Sequence, residues 1–397
     1  MPDLTPVIAT HRVLVCVGSG GVGKTTTAAA LALWGALHGR RTAVVTIDPA
    51  KRLAECLGLD TSDAREGPLP PATFARYGLS ADGTLTALLV DQQSAWDAAV
   101  ARYAPTAEIR ERILANRFYQ GLSRTFAGSH EYMALDTLAT LAQKGAYDLI
   151  IVDTPPTRQA LDFLEAPQRL QRFLDSQASK LFIRSATAKG WSALSAVNRT
   201  TTFLLRKIEE ATGIAALEDI IEFFTSMQRM FVDFGDRFGR VRALLTSAET
   251  AFLLVTSPEE EVLAEAEEFR LGLDRLGMAL KGVVVNRMRE PWRGQLPQGR
   301  DRTALAERLR PVLRLTVRDI SHLPWLAQNF LAAQAQARGE ERRVALFSRD
   351  CPTDAAFVHV PLLPAFSADL GGLMTLLHYL CREIQPQSSR RVKSAPA

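Results

Sequence analysis

The amino-acid sequence predicts an α/β fold: a doubly wound, mostly parallel sheet with an inserted α-helical subdomain. Three observations predict it. Short apolar runs alternate with helical segments in the first third of the chain. A glycine-rich loop separates the first apolar run from the helix that follows it. Residues 161–246 carry helical patterning with few strand signals, which indicates a helical segment inserted between two parts of the sheet.

The first elements form a β–α–β unit. Residues 12–17 (RVLVCV) are an apolar run that ends at glycines, residues 25–38 are rich in Ala and Leu, and residues 42–47 (TAVVTI) are a second apolar run. Gly39 stands where a helix would end. Two strands so close in sequence with a helix between them should be parallel and joined by a right-handed crossover.

Five later apolar runs predict further strands, and they lie on both sides of the helical region. They are residues 85–90, 148–152, 251–255, 282–285 and 357–360. Within the helical region, apolar residues between 220 and 238 recur at i, i+3 and i+4 and form a wide stripe, which is either the core of the insert or one wall of a groove.

Composition excludes several classes of protein. The chain has 397 residues, 47% hydrophobic and 23% charged, with a formal net charge of +4, which is atypical of disordered, fibrous or disulfide-scaffold proteins. There is no apolar run of about 18 residues or more, so no transmembrane segment is expected, and no secretory signal is recognised. Four scattered cysteines without a C-x-x-C pair argue against structural zinc, iron–sulfur clusters and disulfides. We expect a cytoplasmic enzyme.

One motif predicts a nucleotide site. The loop matches G-x-x-x-x-G-K-[ST], with a predicted strand before it and a helix after it. Such a loop turns its backbone N–H groups and the helix N-terminus toward phosphate oxygens. We expect Lys24 to neutralise the β- and γ-phosphates of a nucleotide and the Thr25 hydroxyl to bind Mg²⁺. The predicted nucleotide-binding residues here are Gly18, Ser19, Gly20, Gly21, Val22, Gly23, Lys24, Thr25 and Thr26.

Two acidic residues follow apolar runs, at the sheet edge where ligands bind in open α/β folds. Asp153 follows residues 148–152 and is the expected carboxylate for Mg²⁺. Asp48 closes the run 42–47 and is a candidate to orient the attacking water. The alternative for either residue is a helix N-cap.

The motifs divide the chain into four parts. Residues 1–160 are the first part of a nucleotide-binding core, residues 161–246 the helical insert, and residues 247–384 the second part of the core. Residues 385–397 form a basic, Pro- and Ser-rich tail that is expected to be disordered.

Five segments, in order, give the sequence a resemblance to a known family. They are GSGGVGKTT, TIDPAKRLAECLG, IIVDTPPTRQALDFL, VVVNRM and VPLLP, and together with the apolar run before the first of them they extend from Val13 to Pro364. The chain resembles the ArsA/anion-transporting ATPases, which include the ATPase of arsenite pumps and the cytosolic ATPase that delivers tail-anchored proteins to membranes. That resemblance implies a P-loop NTPase fold, ATP and Mg²⁺ as ligands, and a homodimer that closes on ATP and opens on hydrolysis.

The resemblance also assigns roles to residues. Asp48 matches the switch I aspartate that positions water, and Asp153 matches the switch II aspartate near Mg²⁺. Residues 154–157 match switch II itself. Asn286 matches the residue that recognises adenine. The loop from Pro361 through Leu362 to Pro364 matches the segment that lines the base.

The sequence departs from the family pattern at Ser19, where the family usually has a lysine that reaches the partner's phosphates. Serine cannot supply that charge, so turnover is expected to be slow unless an arginine or lysine substitutes. Arg158, Lys51 and Arg52 are the candidates, and the alternative for each is a solvated loop charge. This departure motivates a second hypothesis, a nucleotide-binding regulatory or scaffold module with little hydrolysis.

The nature of the client stays open at this point. A hydrophobic helix or membrane protein could bind a groove in the insert, whereas an arsenite-pump-driving ATPase would need clustered cysteines, and none lies in the insert. Nine arginines between 287 and 318 could contact an anionic surface, but a solvated face is favoured and no nucleic acid is expected. A further alternative is a MinD/ParA-type positioning ATPase, although the chain end lacks an apolar face.

Overall fold

The fold was analysed in a computed structural model. It describes residues 3–46, 52–59, 67–90, 97, 100–102, 104, 106–116, 119–120, 129–155, 239–293, 323–364 and 366–381. Most of the predicted helical insert, including the apolar stripe between 220 and 238, lies outside these residues, as does the tail 385–397. The domain boundaries therefore remain predictions.

Strands form at each predicted apolar run. In chain order they are β1 (Val13–Val17), β2 (Arg41–Thr46), β3 (Gly67–Pro68), β4 (Thr84–Leu89), β5 (Leu149–Asp153), β6 (Thr250–Thr256), β7 (Leu280–Met288) and β8 (Ala356–Pro361). The short strand β3 was not predicted, because two residues are too few to show a hydrophobic period.

Helices connect the strands and cover the sheet. In chain order they are α1 (Thr5–Thr10), α2 (Lys24–Leu37), α3 (Arg52–Leu57), α4 (Pro71–Ala75), α5 (Ala107–Ala115), α6 (Ser129–Lys144), α7 (Glu260–Leu276), α8 (Leu323–Arg349) and α9 (Leu370–Leu380). Residues 239–245 form a further helical segment, which leads toward β6. None of the helices in the described part of the chain combines the length and apolar character that a bilayer span requires.

The strands form one eight-stranded sheet in the order β3-β4-β2-β5-β1-β6-β7-β8. Every described pairing is parallel except that of β3 with β4, so the prediction of a mostly parallel sheet is confirmed. The two strands of the predicted β–α–β unit do not pair directly, because β5 lies between them. As a result, the carboxyl ends of β1, β2 and β5 meet at one edge of the sheet.

Two hydrophobic cores cover the two faces of the sheet. Val13, Val15 and Val17 of β1 point into one core, and Leu14 and Cys16 point into the other. A strand that is buried on both faces has apolar residues at successive positions. For this reason residues 12–17 show no alternation of apolar and polar residues. The second core also contains most of α2, so the helix that follows the glycine-rich loop is held firmly against the sheet.

Candidate nucleotide-binding site

The glycine-rich loop lies between the end of β1 and the start of α2, as predicted. Gly18 begins it with a φ of +146°, and a Cβ atom at this position would lie 1.9 Å from the carbonyl oxygen of Val255 on β6. Only glycine allows both that dihedral and that approach. The loop therefore begins tight against the neighbouring strand, and α2 starts directly above the carboxyl edge of the sheet.

Lys24, the first residue of α2, is buried and points back over the loop. Its ammonium group donates hydrogen bonds to the carbonyl oxygens of Gly18, at 2.9 Å, and Ser19, at 2.8 Å. A buried ammonium group needs such acceptors to offset its lost hydration. The loop thus holds a positive charge at the helix N-terminus, where phosphate oxygens are bound in sites of this kind.

Three residues from three elements meet at the carboxyl end of β5. Asp153 is the last residue of β5 and is fully buried. Its Oδ2 atom accepts hydrogen bonds from the hydroxyls of Thr25 on α2, at 2.7 Å, and Thr46 at the end of β2, at 3.0 Å. The two residues predicted to serve the metal, Thr25 and Asp153, are therefore in direct contact.

The chemistry of this pair fits Mg²⁺. Carboxylate and hydroxyl oxygens are hard donors, and Mg²⁺ is commonly held by one or two such protein ligands together with water and phosphate oxygens. Within the described ranges there is no group of three or more His, Cys, Asp or Glu residues placed to hold a metal ion. Thr25 and Asp153 would therefore form part of a shared coordination shell rather than a complete protein cage.

Two cysteines lie beside the site and are buried thiols. Burial, and then the Asp153 carboxylate, raise the pKa of Cys16 on β1, with a smaller opposite effect from Lys24. Burial likewise raises the pKa of Cys56 on α3, although its hydrogen bond with Thr26 acts in the opposite direction. Both residues are buried free thiols, and their raised pKa values favour the protonated form at neutral pH.

A cavity of about 250 Å³ adjoins the glycine-rich loop. Gly23 and Thr26 contribute to its lining, as does the segment after β8, where Leu362 and Phe366 are half-exposed. The cavity is lined by both polar and apolar groups and lies next to the glycine-rich loop, so it is a candidate site for a nucleobase. The remaining lining residues are Asn286, Arg287, Pro361, Leu363 and Leu376.

Asn286 joins the cavity to the glycine-rich loop. Its Nδ2 atom donates to the carbonyl oxygen of Val22 at 2.8 Å, and its Oδ1 atom accepts from the backbone N–H of Arg287 at 2.9 Å. A Cβ atom on Gly23 would lie 2.6 Å from Nδ2, so glycine is needed for this approach. Asn286 thus stands where a base would lie, and its role in reading adenine remains a prediction.

The structure brings together most of the predicted site residues. Lys24, Thr25 and Asp153 lie at the predicted phosphate and metal end, and Asn286 lines the cavity at the predicted base end with Pro361 and Leu362. The loop residues Ser19, Gly20, Gly21 and Val22 lie between β1 and α2, with Thr26 in the first turn of α2. Asp48 lies outside the described residues, as do Lys51 and Arg158.

Sequence reasoning missed four residues of the site: Thr46, Arg287, Phe366 and Leu376. Thr46 is visible as a polar residue at the end of an apolar run, but its contact with Asp153 depends on β2 and β5 being neighbours. Ser19 has a further property that the sequence does not show. Its hydroxyl is buried and makes no hydrogen bond to any described group.

Part of the arginine-rich segment is also described. Arg289 pairs with the buried carboxylate of Glu340 on α8, and Arg293 pairs with Glu341 at 2.7 Å. The Arg289 backbone N–H donates to the same Glu340 side chain at 2.9 Å. These two arginines therefore attach the end of β7 to α8, whereas the residues from 294 to 322 lie outside the described ranges.

Comparison with known proteins points to one family. A family model described as anion-transporting ATPase matches residues 11–291, which include every element of the phosphate and metal end. The match also includes Asn286 and Arg287 of the base end and stops before the segment after β8.

The sequence identity to individual relatives is low. The chain is 28% identical over 287 residues to an ATPase ASNA1 homolog of Cryptosporidium parvum, covering 72% of this chain and 66% of that protein. It is 24% identical to an ATPase GET3 of Malassezia globosa, covering 70% and 73% respectively. A putative arsenical pump-driving ATPase 1 of Aquifex aeolicus is also 24% identical, covering 70% and 63%. The matches thus span just under two thirds of the first and third relatives.

Proposed function

The chain belongs to the anion-transporting ATPase family, and on that premise we propose that it binds and hydrolyses ATP together with Mg²⁺. We further propose that the cycle of binding and hydrolysis switches a homodimer between two conformations. The observation that carries the proposal is the contact of Thr25 with Asp153 beside the buried ammonium group of Lys24. A hydroxyl–carboxylate pair suited to Mg²⁺ and a buried cation at the same loop support the proposal.

Each residue would have a distinct task. The loop N–H groups and Lys24 would bind the β- and γ-phosphates, and Lys24 would exchange its two loop carbonyls for phosphate oxygens. Thr25 and Asp153 would hold Mg²⁺, which when bound offsets the negative charge of the phosphates. Asp48, by its resemblance to switch I, would orient the attacking water. Thr46 would fix the Asp153 carboxylate through its hydrogen bond.

The base end supports adenine as the nucleobase. Pro361 and Pro364 have no backbone N–H, and the N–H of Leu362 is already donated to the carbonyl oxygen of Met288 at 2.9 Å. The loop after β8 therefore offers mainly carbonyl oxygens. The 6-amino group of adenine can donate to such oxygens, whereas the 6-oxo group of guanine would be repelled by them.

A hydrophobic helix or membrane protein is the client that we propose, bound by the insert. The four cysteines give little support to a metalloid client. All are buried, and burial raises the pKa of Cys351 to about 11. Soft metalloids bind thiolates, and three of the four thiols have a raised pKa that disfavours this form.

A second function is favoured by Ser19. Because this residue cannot provide the charge of a lysine, the protein could bind nucleotide and act as a regulatory module with very slow hydrolysis. Its buried hydroxyl gives the loop no formal charge beyond that of Lys24. The two functions share nucleotide binding and differ only in the rate of phosphate release.

Steady-state phosphate release tests the proposal. We expect Lys24→Ala to lower the rate at least about a hundredfold, because a cation is lost where charge develops in the transition state. Lys281→Ala is the matched control, since Lys281 pairs with Asp354 on the surface and far from the loop. Equal rates for wild type and Lys24→Ala, with ADP still bound by the wild type, would support the regulatory module instead.

A further inference from the structure

Arg287 has an unusual backbone conformation at the edge of the base cavity. Its φ is +60°, and it is the only non-glycine residue with a positive φ among the described residues. It lies in an irregularity of β7, where the pairing with β8 shifts register between Val285 and Met288. Left-handed backbone in a residue as large as arginine is strained, and such strain concentrates at functional sites.

Contacts on both sides hold this conformation in place. The side chain of Asn286 accepts the N–H of Arg287, and the carbonyl oxygen of Met288 accepts the N–H of Leu362. Beyond them, Arg289 is bound through its backbone and side chain to the buried Glu340. The neighbours of Arg287 are therefore fixed to the loop, to the segment after β8 and to α8, and Arg287 itself is left at the cavity.

The guanidinium group of Arg287 has no such anchor. The residue is exposed, lines the cavity, and forms no ion pair or side-chain hydrogen bond with any described residue. Two large apolar side chains with high exposure, Leu362 at 47% and Phe366 at 37%, line the same cavity. An exposed arginine without a described side-chain partner and two accessible apolar side chains thus line one small volume.

We propose that Arg287 is a nucleotide-binding residue whose guanidinium plane stacks on the base and closes the cavity over it. The base would then lie between this plane and the apolar side chains of Leu362 and Phe366. This inference rests on the proposed nucleotide site and adds a residue to its base end.

The chemistry favours arginine for this task. A guanidinium group is planar and weakly hydrated, so it stacks on aromatic rings with both dispersion and cation–π attraction. It also remains charged at every physiological pH. The positive φ interrupts the regular alternation of side chains along β7 at Arg287. In this proposal, the binding of the base by the cation is the reason that the strain is retained.

Calorimetric titration with ADP and with inorganic pyrophosphate tests the proposal. We expect Arg287→Ala to weaken ADP binding about fivefold, because this is the loss of affinity that one accessible cation–π contact accounts for. Pyrophosphate binding should be unchanged, because pyrophosphate has no base. Arg287→Lys should restore little of the loss, because a lysine ammonium cannot stack as a plane. Arg275→Ala, which removes an exposed arginine from the last turn of α7, is the matched control and should bind both ligands as the wild type does.

Arg287→Gly separates the binding role from a structural one. Glycine adopts a positive φ without strain, so the ligand-free variant should unfold at the same temperature as the wild type or a higher one, and still bind ADP about fivefold more weakly. Unchanged ADP affinity in Arg287→Ala would overturn the proposal, as would an equal loss for pyrophosphate, which would assign Arg287 to the phosphates. A wild-type protein that binds neither ligand would instead refute the proposed nucleotide site.

Discussion

Hydrogen bonds from a cationic side chain to backbone carbonyl oxygens occur at both the amino edge and the carboxyl edge of the parallel sheet, where the strands begin and end. The two sets of hydrogen bonds have different consequences. At the amino edge, the guanidinium group of Arg40 donates to the carbonyl oxygens of Ile8, His11 and Asp148. At the carboxyl edge, Lys24 donates to the carbonyl oxygens of Gly18 and Ser19. In both cases a cation with limited exposure satisfies backbone acceptors.

The difference lies in how far apart the partners are in sequence. Arg40 contacts residues that are 29 to 108 positions away, so it joins α1, the start of β2 and the start of β5. Lys24 contacts residues five and six positions away, within its own loop. A cation that joins distant segments stabilises the fold, whereas one that donates to carbonyls of its own loop can exchange those carbonyls for a ligand without loosening the sheet.

The largest effect on stability is expected from Arg40→Ala. The change leaves three carbonyl groups of different segments without their donor, and we expect the free energy of unfolding to fall by about 2 to 3 kcal/mol. Urea denaturation measures this. Nucleotide affinity should stay the same, because Arg40 lies at the opposite edge from the loop.

The neighbouring Arg41→Ala is the control for that experiment. Arg41 is exposed and pairs with Asp148 in solvent, so its loss should change the free energy of unfolding far less than the loss of Arg40 does. If Lys24→Ala destabilised the protein as much as Arg40→Ala does, the distinction between the two edges would be wrong.

A smaller effect, on turnover, is expected from Thr46→Val. This nearly isosteric change removes the hydroxyl that donates to Asp153, and a hydrogen bond to a charged group contributes about 1.5 kcal/mol or more. We expect phosphate release to slow about tenfold, with the fold retained.

Thr42→Val is a control on the same strand. Thr42 is also buried on β2, but near the amino edge, where its hydroxyl donates to the carbonyl oxygen of Arg40 at 3.3 Å. Turnover in this variant should match the wild type. A similar slowing in both variants would mean that Thr46 acts through packing rather than through the carboxylate.

The smallest effect concerns acid stability at the amino edge. Hydrogen bonds from the Arg41 side chain and backbone lower the pKa of Asp148 to about 2. Because the folded pKa lies below the unfolded value of about 3.9, the resulting stability is present above pH 4 and is lost as the pH falls toward 2. The carboxylate is partly exposed, so the effect should be about 0.5 kcal/mol after solvent screening.

Urea unfolding at pH 5 and pH 3 checks this expectation against Asp148→Asn. The variant should show a smaller loss between the two pH values than the wild type, because it has no carboxylate to protonate at this position. Identical losses would show that other carboxylates account for the acid sensitivity.

The sequence by itself determined the local features of this protein. Strands that are buried on both faces can be identified from the local sequence, because each appears as a short continuous run of Val, Ile and Leu. The loop from Gly18 to Thr25 is equally local, because its conformation and its charge come from adjacent residues. The assignment of Lys24, Thr25 and Asp153 to one site also followed, since strand ends in parallel sheets share an edge.

Only the tertiary structure decided which distant residues complete the site. Thr46 meets Asp153 because β2 and β5 are neighbours, and Asn286 reaches Val22 across 264 positions of sequence. The exposed Phe366 and the strained Arg287 line one cavity because β7 and β8 are neighbouring strands. Strand order sets these contacts, and that order results from the packing of the whole sheet, which no local pattern of residues encodes.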